Sequence, residues 1–193
     1  PDRRCLLVYY GGNGEEVSYN LDSFKHITGC AVLLVNYRGY GESEGSPTEK
    51  HLVGDAIQIL DQVKQRYDKV ILMGRSLGSG IAVQVAAQHE VDRLILVTPY
   101  DSITAVAQGI YPWAPVGFLI KDPFDSLSRA ASVKVPALFL IAQDDSVIPM
   151  KHSRKLADRW GGPVDWKLIP GTTHNSISAE MQYWDAIEEF IRE

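Results

Sequence analysis

The chain alternates short, nearly unbroken apolar runs with longer segments whose apolar residues recur every three or four positions. The runs cover 5–10, 31–35, 70–73, 94–97, 137–141 and 164–169. Rich in Val, Ile and Leu, they predict six strands. A strand with one wet face alternates polar and apolar residues. A continuous run such as Ala137-Leu138-Phe139-Leu140-Ile141 instead predicts a strand covered on both faces, as in a parallel sheet between helices. Between the runs, 49–67 keeps Leu52, Val53, Ala56, Ile57, Leu60 and Val63 on one helical stripe. Segments 151–160 and 178–192 predict further helices, and His26 is expected to close a first helix, where it would suit the C-terminal dipole. The rhythm predicts a single α/β domain over 1–193, a three-layer sandwich around a mostly parallel sheet of about six strands.

One stretch, about 101–131, departs from that rhythm. Pro112, Pro115 and Pro123 interrupt it, and its centre, Ile110 to Ile120, is strongly apolar yet too short to cross a bilayer. Two readings fit: a short helical cap over a site, or a helical hairpin that completes the core.

Composition narrows the classes. Of 193 residues, 45% are hydrophobic and 22% charged, a globular balance. A formal net charge of -5 gives no electrostatic basis for binding nucleic acid. Cys5 and Cys30 lie in or beside strand runs and are expected to be separate, buried thiols, which favours a reducing, cytoplasmic setting. No segment has the length of a membrane span. The chain opens Pro1-Asp2-Arg3-Arg4, with neither an initiator methionine nor the apolar region of a signal peptide, as a trimmed or processed product would.

The densest chemical signal is Val70-Ile71-Leu72-Met73-Gly74-Arg75-Ser76-Leu77-Gly78, a strand running into Gly-x-Ser-x-Gly. The small-residue helix 81–87 follows. Such a strand-to-helix turn lifts the serine hydroxyl clear of the sheet, and its glycines allow close packing. A serine hydroxyl needs a base, and the base an orienting acid. In open α/β sheets these collect at the carboxyl ends of strands. His174 follows the last strand in a Gly-containing loop. His51, His89 and His152 fall in or at the ends of helices and are expected at the surface. For the acid, Asp145, Asp144 and Asp101 all follow strand ends. No spacing suggests a metal site, so neither metal nor cofactor is expected.

Gly74-Arg75-Ser76-Leu77-Gly78, Asp145-Ser146-Val147-Ile148-Pro149 and Gly171-Thr172-Thr173-His174-Asn175 resemble the three catalytic blocks of α/β-hydrolase-fold serine hydrolases. The segment from Asn36 through Arg38-Gly39-Tyr40-Gly41 to Pro47, with Tyr111-Pro112-Trp113-Ala114-Pro115 and Asp125-Ser126-Leu127, resembles a branch of bacterial esterase-like, depalmitoylase-like and lysolipid-hydrolase-like enzymes. The similarity covers essentially the whole chain. It implies Ser76 as nucleophile, His174 as base and Asp145 as its acid. It also implies backbone oxyanion donors at Asn13 and Leu77, although Gly11 stands where the superfamily often has histidine. Full members usually carry two strands earlier in the chain, and the sequence supplies none.

The resulting expectation is hydrolysis of a small acyl ester or thioester with a short-to-medium acyl group. Tyr100, Tyr111, Trp113 and Phe118 are expected to line the acyl site. An amidase or peptidase with the same residues, and a catalytically silent binding module, are the alternatives. Membrane contact and oligomeric state are left open by the sequence.

Overall fold

The computed structural model describes residues 5–193; residues 1–4, read above for a targeting signal, lie outside the described residues. Six strands form one sheet: β1 (Cys5–Tyr10), β2 (Ala31–Val35), β3 (Lys69–Arg75), β4 (Arg93–Val97), β5 (Ala137–Ala142) and β6 (Val164–Ile169). Their spatial order is β2-β1-β3-β4-β5-β6, and each neighbouring pair is parallel. The helices are α1 (Glu49–Val63), α2 (Leu77–Ala86), α3 (Ile103–Ile110), α4 (Val116–Leu119), α5 (Leu127–Ala130), α6 (Met150–Asp158) and α7 (Met181–Arg192).

The apolar runs are continuous because the sheet has two cores. Leu6, Val8 and Tyr10 of β1 enter one core, with Leu52, Ala56 and Leu60 of α1, Ile81, Ala82, Val83 and Val85 of α2, and Leu156 of α6. Cys5, Leu7 and Tyr9 enter the other, with Trp184, Ile187, Phe190 and Ile191 of α7. Successive residues of a strand point to opposite faces, so burying both faces removes any need for polar alternation. Thr48 starts α1 by accepting the His51 amide, as an N-cap should.

Two expectations need correction. The connection from β1 to β2 holds two 3-10 turns, Val17–Asn20 and Ser23–His26, rather than a helix ending at His26. Asn20 ends the first turn and Asp22 stands just before the second, and both are residue types with low preference for a helix interior. Its apolar residues Val17, Phe24 and Ile27 still complete the second core. The second correction is that Cys5 and Cys30 form a disulfide. The parallel register pairs Leu6 with Ala31, so the residues one step earlier on each chain lie side by side. The case for a reducing compartment, drawn from separate thiols, loses its support.

The stretch 101–131 carries α3, α4 and α5. Its ends are tied together: the Leu127 amide donates to the Asp101 carbonyl at 2.9 Å, and the Ile103 amide to the Pro123 carbonyl at 2.8 Å. Val116, Phe124 and Ala130 are buried, whereas Ile110, Tyr111, Trp113, Phe118 and Leu119 are exposed. Among the described residues no helix is long and apolar enough to cross a membrane.

Candidate active site

β3 ends at Arg75 and α2 begins at Leu77, leaving Ser76 alone at the turn with φ 50° and ψ -117°. A positive φ on a residue with a side chain costs roughly 1–3 kcal/mol and persists only where the surroundings impose it. Here the Ser76 amide donates to the Val97 carbonyl, and the Ser76 carbonyl accepts the Ser79 amide, both at 2.9 Å. The flanking glycines are fixed by close approach. A Cβ on Gly74 would fall 2.3 Å from the Gly78 carbonyl oxygen, and one on Gly78 would fall 2.1 Å from the Tyr10 carbonyl oxygen. The geometry is that of a tight strand-to-helix elbow with the serine at its apex.

Two later strand ends meet this turn. His174, in the loop after β6, places Nε2 2.9 Å from the Ser76 hydroxyl oxygen. Its Nδ1 lies 2.7 Å from Asp145 Oδ2, in the loop after β5. A carboxylate at Nδ1 holds the proton on that nitrogen, so Nε2 is free to accept from the serine hydroxyl. The other oxygen of Asp145 accepts the amides of Val147 at 2.9 Å and Ile148 at 2.8 Å. The carboxylate is thus aimed by its own backbone. Asp144 is exposed on the surface, while its amide donates to the Thr172 carbonyl at 2.8 Å and joins the two loops.

Asp101, the third acid candidate, lies elsewhere. Its side chain is 2% exposed and belongs to a different histidine: His152 Nδ1 is 2.8 Å from Asp101 Oδ1. The Ser102 amide also donates to Oδ1, and Lys155 Nζ donates to Oδ2 at 3.0 Å. Burial pushes the Asp101 carboxyl up, but the hydrogen bonds from Lys155, His152 and Ser102 outweigh it and hold it below its ordinary range. His152, expected at the surface, is buried. It shares the inner face of α6 with Ser153 and Leu156, and the Ser153 hydroxyl donates to the Pro99 carbonyl.

Leu77 is the first residue of α2, so helix geometry gives its amide no acceptor four residues back. The loop after β1 approaches the same place: a Cβ on Gly12 would lie 3.7 Å from Ser76 Cβ. Asn13, next in that loop, accepts the Tyr40 hydroxyl on Oδ1 at 2.6 Å, and the Tyr37 hydroxyl donates to the Gly11 carbonyl at 2.8 Å. The loop is therefore anchored from the segment after β2.

Tyr100 needs correction as a substrate-lining residue. It is fully buried, with its hydroxyl donating to the Leu77 carbonyl at 3.2 Å, so its ring is core beneath α2. Thr98 adopts φ 45° just after β4, and Pro99, Tyr100 and Asp101 beyond it are buried. Tyr111, Trp113 and Phe118 are exposed, and the rings of Tyr111 and Trp113 meet edge to face at 6.4 Å. Among the described residues no cluster of three or more His, Cys, Asp or Glu is arranged to hold a metal ion.

A polar network beside Ser76 went unread in the sequence. Arg75 Nη1 donates to Glu15 Oε2 at 2.9 Å, and Arg75 Nη2 to the His174 carbonyl at 3.2 Å. The available signal was a charged residue ending a buried strand, since such a charge needs a partner. That partner stands 60 positions earlier and cannot be picked out from spacing.

The family described as serine aminopeptidase, S33, matches residues 7–121. An uncharacterized protein of Mycobacterium tuberculosis is 33% identical over 196 residues, covering 98% of this chain and 70% of that protein. Human alpha/beta hydrolase domain-containing protein 17B is 28% identical over 199 residues, covering 99% of this chain and 67% of that protein. Est1E from Butyrivibrio proteoclasticus, solved with ferulic acid, superposes with a TM-score of 0.79 at 17% identity, covering 98% of this chain and 89% of that one. With its parallel six-stranded sheet and flanking helices, the chain belongs to the serine aminopeptidase S33 family and is a hydrolase of the α/β-hydrolase fold.

Proposed function

We propose that the chain is a serine hydrolase that cleaves carboxylic esters or thioesters with a short-to-medium acyl group. The observation that carries this reading is the row Asp145–His174–Ser76, joined at 2.7 and 2.9 Å, with Ser76 on a strained turn. His174 Nε2 takes the hydroxyl proton as Ser76 Oγ attacks the carbonyl carbon. Amides of Asn13 and Leu77 receive the negative charge on the former carbonyl oxygen, each donor contributing roughly 2.7–4 kcal/mol in comparable sites. His174 then passes its proton to the leaving alkoxide or thiolate, giving an acyl-enzyme. Water, activated by the same nitrogen, releases the acid. Asp145 orients the imidazole and stabilises its charged form throughout.

The acyl chain is assigned to the apolar side chains Tyr111, Trp113 and Phe118 of the cap-like stretch 101–131. Large exposed apolar groups gathered in one stretch are a common mark of a binding surface. A second reading, cleavage of a peptide amide, is favoured by the family's description alone. It uses the same residues but must protonate a poorer leaving group.

The test is covalent labelling with a fluorophosphonate, followed by turnover of p-nitrophenyl butyrate and of an aminoacyl p-nitroanilide. Labelling at Ser76 with faster ester turnover is expected. Ser76→Ala should abolish labelling and lower turnover about 10⁴-fold or more while the fold persists. Folded wild-type protein that takes no label would make it a binding module, and faster anilide turnover would move it to the peptidases.

A further inference from the structure

Arg75 occupies a position that Gly-x-Ser-x-Gly leaves unspecified, yet its side chain is only 18% exposed and that of its partner Glu15 only 14%. Burying such a pair carries a desolvation cost, and an apolar pair of similar volume is often as stable, so stability alone is a weak reason for it. The contacts suggest another. Arg75 is the residue before Ser76, so its guanidinium is anchored at the elbow. Nη1 donates to Glu15 Oε2 at 2.9 Å, and Nη2 donates to the His174 carbonyl at 3.2 Å and to Asn175 Oδ1 at 3.1 Å. Glu15 Oε2 also accepts the Gly12 amide at 2.5 Å, while Oε1 accepts the Tyr9 hydroxyl at 2.8 Å and Asn20 Nδ2 at 2.5 Å.

One planar fork therefore ties three segments together: the loop carrying Asn13, the turn carrying Ser76 and the loop carrying His174. Burial pushes the Glu15 carboxyl up, but the Gly12 and Tyr9 hydrogen bonds and the Arg75 charge hold it below its ordinary range. Burial likewise opposes the charge on Arg75, and Glu15 more than restores it. Both groups are ionised when the fork is formed.

We propose that Arg75 and Glu15 are a positioning pair for the hydrolytic site, fixing the oxyanion-binding loop and the His174 loop relative to Ser76. The inference rests on the serine hydrolase reading above. Displacing a base or an oxyanion donor by about 1 Å can cost on the order of 100-fold in rate. Neither Arg75 nor Glu15 touches the reacting atoms, so the loss should fall on turnover rather than on substrate affinity.

The experiment compares wild type, Arg75→Met, Arg75→Lys, Glu15→Gln and the Arg75→Met/Glu15→Gln double variant. Thermal unfolding, fluorophosphonate labelling rates, and kcat and KM for p-nitrophenyl butyrate are measured for each. Arg75→Met should stay folded, lose about 100-fold in kcat and keep KM within about twofold. Arg75→Lys should recover only part of kcat, because an ammonium can pair with Glu15 but cannot span to the His174 carbonyl as a fork does. Glu15→Gln keeps an acceptor for the Gly12 amide, and its loss should not add to that of Arg75→Met in the double variant.

Folded Arg75→Met with wild-type kcat and labelling rate would overturn the proposal while leaving the hydrolase reading intact. So would independent, multiplying losses in the double variant, or a loss confined to KM. If Arg75→Met and Glu15→Gln both fail to fold, the pair is a folding element and the proposal is wrong. Wild-type protein that takes no label removes the hydrolase reading itself.

Discussion

Among the described residues, two buried histidine–carboxylate pairs have nearly the same geometry. His174 Nδ1 lies 2.7 Å from Asp145, and His152 Nδ1 lies 2.8 Å from Asp101. Both histidines are buried, and both acids follow the end of an interior strand, β5 for Asp145 and β4 for Asp101. They differ in what lies around the pair. Beyond His174 stands the hydroxyl of Ser76; beside Asp101 stands Lys155, and His152 sits on α6 at the root of the stretch 101–131. A carboxylate-oriented imidazole is therefore not a site in itself. It becomes one when its second nitrogen meets a group whose proton is worth taking.

The second pair has a mechanical setting. The Asp101 carbonyl accepts the Leu127 amide, closing the base of the stretch that Asp101 begins, and Ser153 beside His152 bonds the Pro99 carbonyl. Asp101 and His152 thus clamp α6 to the base of that stretch, whereas Asp145 and His174 face the elbow. The largest expected contrast is kinetic. Asp145→Asn should lower kcat on the order of 10⁴-fold, because an amide favours the wrong imidazole tautomer. Asp101→Asn should leave kcat for p-nitrophenyl butyrate within a few-fold, roughly the scatter of a change away from the reacting atoms. Equal losses in the two variants would dissolve the distinction and reopen the choice of acid.

The six strands and the two candidate loops were legible because they depend on local pattern and on one topological rule. Continuous apolar runs identify buried strands, and the carboxyl ends of those strands are where Asp145 and His174 fall. The structure lengthens the third run to include Lys69, Gly74 and Arg75, since a strand end can carry polar residues while its ladder continues. What escaped depends on pairs distant in sequence. Cys5 meets Cys30 only because β1 and β2 are neighbours in a particular register, and Arg75 meets Glu15 only once the sheet is ordered. Tyr100 was misplaced because distance from a strand end says nothing of whether the chain turns toward solvent or core. His152 had a local signal, its four-residue spacing from the buried Leu156, but surface placement is the stronger expectation for a helical histidine.

The next contrast is in stability. Asp101→Asn removes a buried charge that accepts from His152, Lys155 and the Ser102 amide, and a loss of about 1.5–3 kcal/mol is expected at neutral pH. Its folded carboxyl titrates below its ordinary value of 3.8. The carboxylate therefore contributes stability above that value, and the contribution fades as pH falls through the folded one. Urea unfolding at a series of pH values should show the gap between wild type and Asp101→Asn closing in acid and persisting in alkali. A gap that closed toward high pH would have the wrong sign for a lowered carboxyl and would assign the effect to another group.

The smallest effect belongs to Lys155, and it separates the ways in which the two carboxylates are held. Asp145 is aimed by the amides of Val147 and Ile148, donors fixed in the chain, which salt cannot screen away or exchange. Asp101 has one backbone donor, Ser102, and relies on a lysine whose side chain is 59% exposed. An ion pair with one partner in solvent is worth about 0–1 kcal/mol and is weakened by salt. Lys155→Met should therefore cost less than about 1 kcal/mol, and that cost should shrink between low and high salt, with kcat unchanged. Because the Asp145 donors are covalently part of the turn, the activity of wild type and Lys155→Met should respond to salt alike. If Lys155→Met altered the salt dependence of kcat, the two pairs would be coupled through α6, which follows the Asp145 turn directly, and the clamp and the site would be one device.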